Sequence, residues 1–152
     1  MSGVSLRDVV EGDLEALFEH QREPEANQMA AFSARDRPAF MAHWTKLLAN
    51  PEVITKAIVL DGALVGNLGC WSSEGERLLG YWIGKAWWGQ GIATQALRLF
   101  LAGYPARPLT AHVAKHNPGS IRVLEKCGFL AIGEESVDDE HGHVVELIYR
   151  LR

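Results

Sequence analysis

At 152 residues and 16.8 kDa, the chain fits one domain spanning 1–152 better than two. Surface scaling leaves roughly 7,600 Å² exposed after folding, against about 24,000 Å² for the extended chain, so a real core needs no disulfide or metal staple. A composition of 47% hydrophobic and 22% charged residues excludes a disordered, collagen-like or coiled-coil chain. With 15 Lys plus Arg against 19 Asp plus Glu and a formal charge of −4, nucleic-acid binding through a broad basic surface is excluded too, and cationic partners are mildly favoured.

Taken in chain order, VSLRDVV reads as a short strand with Val4 and Leu6 on one face. Asp13 reads as the N-cap of a helix whose Leu14, Leu17 and Phe18 share a face. The stretch from Glu23 to Asp36 is mixed and receives no assignment. Phe40, Trp44, Leu47 and Leu48 recur at helical spacing, and Asn50-Pro51 ends that helix. The period then changes. Lys56 to Leu60 is strand-like, Asp61-Gly62 is a tight-turn signal, and Ala63 to Trp71 is the return strand. A polar loop, Ser72 to Arg77, leads into a third run, LLGYWIG at 78–84.

Residues 91–102 switch to helix, with Ala93, Ala96, Leu97, Phe100 and Leu101 on one stripe, stopped by Gly103 and the prolines at 105 and 108. LTAHVAKH, 109–116, is the next strand. Asn117-Pro118 then opens a helix with Ile121, Val123 and Leu124 inward, and Gly128-Phe129 reads as its left-handed exit. Runs 130–137 and 144–151 flank the polar segment Asp138 to His143 as a hairpin. The order β-α-α-β-β-β-α-β-α-β-β specifies an α/β (α+β) domain with a mixed sheet and four helices.

Cys70 and Cys127 are too few for a disulfide framework and sit in apolar runs, so two reduced, buried thiols are expected. The N-terminus carries no apolar stretch of signal-peptide length, and no run approaches the roughly 20 apolar residues of a membrane span; a cytoplasmic protein is expected.

Two motifs carry chemistry. In GYWIGKAWWGQGIATQAL, 80–97, a strand passes through a glycine-rich turn into a helix. The first helical turn leaves backbone N–H groups without intrahelical acceptors, and small residues let a phosphate reach them, so Trp88-Gly89-Gln90-Gly91-Ile92-Ala93-Thr94 suits a pyrophosphate. It equally suits tight strand-to-helix packing. It is neither a Walker loop nor a G-x-G-x-x-G dinucleotide fingerprint. The second motif, HNPGSIRVLEKCGF at 116–129, is by itself an ordinary capped helix.

Together the two motifs resemble the GNAT acyltransferase superfamily, which transfers acetyl groups from acetyl-CoA to amines, and most closely its ribosomal-protein N-terminal acetyltransferase branch. The resemblance covers the element order of nearly the whole chain and is sharpest over residues 78–129. It implies a mostly antiparallel sheet of six to seven strands with one splayed parallel pair, the strands ending near Gly84 and Asn117, and the cofactor entering the gap. The family signature Gln/Arg-x-x-Gly-x-Gly/Ala has Trp88 in its leading position here, a departure that removes a polar side chain but keeps the backbone cradle.

By resemblance, Gly89, Gln90, Gly91, Ile92, Ala93 and Thr94 hold the pyrophosphate, the backbone of Tyr81, Trp82 and Ile83 pairs with the pantetheine arm, Asn117 touches that arm, and Ser120 lies near the thioester sulfur. A backbone N–H near Ile83 is the expected oxyanion donor. Many members carry a tyrosine acid seven residues after the Asn; here that position is Leu124, and Ser120 is the expected replacement, with helix capping its alternative role. The strand position used by a Glu base in some members holds His112; histidine as a residue type can serve as a base near neutrality, but a lone His in an apolar strand is more often a core residue. Glu76 and Glu74 are the rival bases, each also readable as a solvated turn charge. His141 and His143 read as hairpin-loop residues, and no metal is expected.

The expected function is thus acetyl-CoA-dependent N-acetylation of a primary amine by direct transfer. Protein N-termini, aminoglycosides, amino acids and polyamines are all compatible acceptors, and a homodimer is a reasonable expectation. A CoA-binding sensor or partner module without catalysis, or a phosphate-binding module unrelated to CoA, are the rival readings. No nucleic-acid or membrane partner is expected.

Overall fold

Seven strands form one sheet in the order β1-β2-β3-β4-β5-β7-β6. The computed structural model describes residues 3–31, 34–139 and 142–152. The elements are β1 (Val4–Asp8), α1 (Leu14–Gln21), α2 (Pro24–Ala30), α3 (Arg37–Ala49), β2 (Ile54–Leu60), β3 (Ala63–Ser73), β4 (Glu76–Ile83), α4 (Ile92–Gly103), β5 (Leu109–Ala114), α5 (Pro118–Lys126), β6 (Leu130–Asp139) and β7 (Gly142–Leu151). Every neighbouring pair is antiparallel except β4–β5, which is parallel and joined by one bridge, Leu78↔Thr110. By contrast β5 pairs with β7 over six positions, Leu109↔Leu151 to Ala114↔Glu146. Beyond Leu78, β4 and β5 therefore part, and the sheet opens at its middle.

The two faces of the sheet carry separate cores, as period-2 alternation requires. Odd-numbered Leu109, Ala111 and Val113 of β5 pack with Leu79, Ile92, Leu97, Phe100, Leu124 and Phe129 against α4 and α5. On the other side Val9, Leu14, Leu17, Phe18, Phe40 and Trp44 bury α1 and α3 against Ala57. Cys70 and Cys127 are both free thiols, Cys70 buried and Cys127 half-buried, and burial raises the pKa of each.

Three expectations change. The unassigned stretch holds a fifth helix, α2, with Pro24 in its first turn and the Glu23 carboxylate accepting from the Glu25 N–H at 3.2 Å. It is two turns long and has no apolar stripe, so periodicity could not reveal it. The polar loop at 72–77 is a two-residue hairpin: Glu74 and Gly75 take φ of +51° and +81°, the pattern of the Asp61-Gly62 turn at +49° and +88°, and β4 starts at Glu76. Two consecutive positive φ values match the twist of the flanking strands, and Gly supplies one of them freely. Asp13 does not cap α1. Its carboxylate accepts from the Val10 N–H at 2.9 Å and from Arg7 at 2.8 and 2.9 Å, closing a short 3-10 turn at 11–13. The Arg7 bond, set against burial, lowers its pKa.

The exit of α5 follows the sequence reading in detail. Gly128, at φ +91°, donates to the Glu125 carbonyl, and Phe129, 1% exposed, donates to that of Leu124.

Candidate active site

The parting of β4 and β5 opens a cleft of about 500 Å³, bordered by Tyr81, Trp82 and Ile83, by the turn and first helical residues Trp88 to Thr94, and by Asn117 to Ser120. A larger open hollow, about 670 Å³, lies near Leu6, Leu47 and Phe100 and contains none of the candidate residues.

The glycine turn is built as an anion cradle. Gly89 and Gly91 take φ of +79° and +74°, and Gly91 is the cap residue of α4 without any side-chain cap. The first helical amide to bond back is that of Gln95, to the Gly91 carbonyl at 3.1 Å. The amides of Ile92, Ala93 and Thr94 thus lie in the unpaired first turn, at the positive end of the helix dipole. A Cβ added at Gly89 would meet nothing within 4 Å, and one at Gly91 only Gln95 Nε2 at 4.0 Å. The space before the cradle is clear of protein, as a phosphate requires. Arg122 and Lys126, one turn apart on α5, line the same cleft and add positive charge.

The edge of β4 is equally exposed to the gap. Gly84 N–H donates to the Val65 carbonyl of β3 at 2.8 Å. Amide groups alternate sides along a strand, so Tyr81 and Ile83 turn theirs toward the gap. The indole N–H of Trp88 donates to the Ile83 carbonyl at 2.9 Å. At the signature's first position Trp88 thus ties the glycine turn to the end of β4.

Tyr81 and Trp82 point to opposite faces. Trp82 Nε1–H donates to the His20 carbonyl at 3.1 Å on the α1 side, whereas the Tyr81 hydroxyl meets Ser120 on the α5 side, 2.7 Å from Oγ. Ser120 does not cap the helix with its hydroxyl; Asn117 Oδ1 does the capping, accepting from the Ser120 N–H at 3.3 Å. Leu124 is 1% exposed and belongs to the core.

The candidate bases stand elsewhere. Glu76 is five residues back along β4, about 17 Å from Tyr81 at strand rise. There it accepts from Arg150 Nη2 at 2.6 Å and from Thr110 Oγ1 at 3.4 Å. The structure thus fixes Glu76 in an ion pair away from the cleft, a correction to its candidacy. Glu74 sits at the exposed tip of the β3–β4 turn. His112 is not a core residue. It projects from β5 on the face opposite α5, its Nδ1 3.6 Å from Glu146 and 3.8 Å from Glu135. His143 lies 3.0 Å from Asp138, and His141 is outside the described residues.

Sequence reasoning missed the second wall of the cleft. Ala26, Met29 and Ala30 of α2 line it. Lys85 pairs with Glu23 at 3.5 Å and Glu25 at 3.4 Å, while His116 Nε2 lies 2.9 Å from the Gln28 carbonyl. These contacts tie α2 to the ends of both parted strands. The sole sequence signal was the Glu-Pro-Glu start of α2.

His20 closes this corner, its ring edge-on to Trp87 at 5.6 Å. Burial lowers its pKa below the ordinary 6.5. The unfolded chain therefore takes up this proton more readily, so the stabilisation is complete above about pH 6.5 and is lost as the pH falls through the folded value. Melting temperature should fall from pH 7 to 5, with a shallower slope in His20→Gln; identical slopes would remove His20 from the acid response.

A profile of the acetyltransferase (GNAT) domain matches residues 4–130. No curated protein matches the chain. Among solved structures, RimL, a ribosomal L7/L12 alpha-N-protein acetyltransferase in complex with coenzyme A, superposes with a TM-score of 0.84 at 18% identity, covering 97% of this chain and 93% of that one. A GNAT-family acetyltransferase from Bacillus anthracis gives 0.83 at 16% identity, with 97% and 93% covered. The aminoglycoside acetyltransferase AAC(6')-Ib in complex with coenzyme A gives 0.75 at 21%, with 96% and 94% covered. With the domain profile spanning most of the chain and the opened sheet beside a glycine cradle, this protein belongs to the GNAT acetyltransferase family.

Proposed function

We propose that the protein is an acetyl-CoA-dependent N-acetyltransferase that transfers acetyl directly to a primary amine. The single observation that carries this reading is the continuity of the glycine cradle, the end of β4 at Tyr81–Ile83 and Ser120 in one cleft. Acetyl-CoA supplies an activated acyl group whose thiolate can leave. Gly89 to Thr94 hold its pyrophosphate through backbone amides, assisted by Arg122 and Lys126. The Tyr81–Ile83 edge and Asn117 align the pantetheine arm, and an N–H of that edge faces the developing oxyanion. Ser120 lies beside the sulfur.

The acceptor approaches from the face that carries His112. Glu135 and Glu146 draw an ammonium group there, and His112 takes a proton from it so that the neutral amine can attack. Protein N-termini and small amines both fit this description. RimL and AAC(6')-Ib are named for acceptors of these two kinds. No helix of the described residues is long and apolar enough to cross a membrane.

Calorimetric titration with acetyl-CoA tests the cleft, and an amine panel tests turnover. Micromolar binding is expected, with His112→Ala lowering kcat/KM about 100-fold and Ser120→Ala lowering kcat by on the order of 10-fold. No binding to folded protein free of copurified CoA would overturn the reading. The buried Leu124 in place of a tyrosine acid favours one rival, a CoA-binding module without turnover; CoA binding with no acetylation across the panel would select it.

A further inference from the structure

Tyr81 brings a phenol from β4 to Ser120 at the start of α5, the helix that carries Leu124 where the resemblance implies a tyrosine. Its hydroxyl lies 2.7 Å from Ser120 Oγ and 3.2 Å from the Ser120 carbonyl. A phenol has one proton and can fully donate to one of these acceptors. If it donates to the carbonyl, Ser120 spends its own proton on the phenol oxygen and presents only lone pairs to the cleft. If it donates to Oγ, at the shorter distance, the serine proton is free to turn outward.

Resting on the acetyl-transfer reading above, we propose that Tyr81 is a positioning residue that donates to Ser120 Oγ and so makes the serine a hydrogen-bond donor to the departing CoA sulfur. The N–C bond forms first, giving a tetrahedral oxyanion, and its collapse breaks the C–S bond, whose electron pair stays on sulfur. The ammonium's first proton passes to His112 and then to solvent before attack, the nitrogen's second proton leaves to solvent as the amide forms, and the thiolate, held by the Ser120 hydroxyl, takes a proton from water on release. Tyr81 and Ser120 end the cycle as they began it. Growing negative charge on sulfur selects the outward orientation of the serine proton, and each bond in such a chain polarises the next.

Two features suit Tyr81 to this role. Burial, opposed by the bond to Ser120, pushes its phenol up to about 12, so it keeps its proton at any working pH. Its ring is set by β4, whose register with β3 is continuous from Gly66↔Ile83 to Ser73↔Glu76, so the hydroxyl is delivered by a rigid strand.

The test is the thiol pKa of bound CoA, read as thiolate absorbance near 240 nm against the desulfo-CoA complex at each pH. It needs neither an acceptor nor turnover. In the wild type the bound thiol should titrate below free CoA. Tyr81→Phe should move it back by about half a unit or more, a threefold change in the thiolate equilibrium, read on complexes saturated with CoA. Ser120→Ala should remove the depression, and adding Tyr81→Phe to it should change nothing further. An unchanged thiol pKa in Tyr81→Phe, or an equal shift in the Ser120→Ala background, would overturn the proposal while the acetyl-CoA reading stood. Absence of CoA binding in the wild type overturns both.

Discussion

Replacing Gly91 by glutamate should weaken CoA binding at least 100-fold while leaving the protein folded. Three effects act in the same direction. Gly91 has φ +74°, and a side chain there costs roughly 1–2 kcal/mol of backbone strain. The new carboxylate projects into the space before the cradle, where a Cβ finds no protein atom nearer than 4.0 Å. Two like unit charges about 4 Å apart repel by about 4 kcal/mol at an effective dielectric of 20. The carboxylate also competes for the first-turn amides of α4. Gly91→Ala separates the contributions: it keeps the strain but adds neither charge nor reach, so its affinity should fall less than about tenfold. Calorimetry with CoA on both variants, after thermal melts have established folding, measures the difference. Wild-type affinity in folded Gly91→Glu would mean that the turn only packs a strand against a helix.

The parts of this site that the sequence disclosed are those with local causes. Gly89 and Gly91 announce a turn that needs positive φ, Asn117-Pro118 announces a helix start, and Gly128-Phe129 its end; each is decided within a few residues. The side-chain partnerships were hidden because they join residues far apart in the chain. Nothing near Tyr81 shows that its hydroxyl will meet Ser120, 39 positions on, and nothing near Glu76 shows that Arg150 will neutralise it. His112 illustrates the same point. Its apolar neighbours favour a core position, but the alternation of β5 sends Ala111 and Val113 inward and leaves His112 facing Glu146 and Glu135. The hairpin at Glu74-Gly75 was missed for a local reason: Ser-Ser-Glu-Gly-Glu-Arg lacks the Asn-Gly or Asp-Gly pair that marked the preceding turn at Asp61-Gly62.

Gly66→Ala should be the most damaging single methyl in the fold, and it should act on the cleft from behind. A Cβ at Gly66 would stand 2.2 Å from the Trp82 carbonyl oxygen and 3.1 Å from Ile83 Cδ1. The first of these is backbone, so relief requires a strand to move. Gly66 adjoins an irregularity in the β2–β3 register, which steps from Ile58↔Gly66 to Val59↔Leu64, and it faces the last residues of β4. A glycine at such a place marks close backbone approach. Overpacking of this kind costs about 3 kcal/mol, or roughly 6–12 °C in Tm for a domain of this size. Because the displaced residues, Trp82 and Ile83, line the cleft, CoA affinity should fall with stability. Gly69→Ala on the same strand is the control, since its Cβ would meet nothing nearer than the Trp71 ring at 3.7 Å; its Tm should stay within about 2–4 °C of wild type, the shift that 1 kcal/mol produces. Equal melting temperatures for the two variants would show that β4 gives way easily at its end, and the rigid edge on which the Tyr81–Ser120 geometry depends would have to be abandoned.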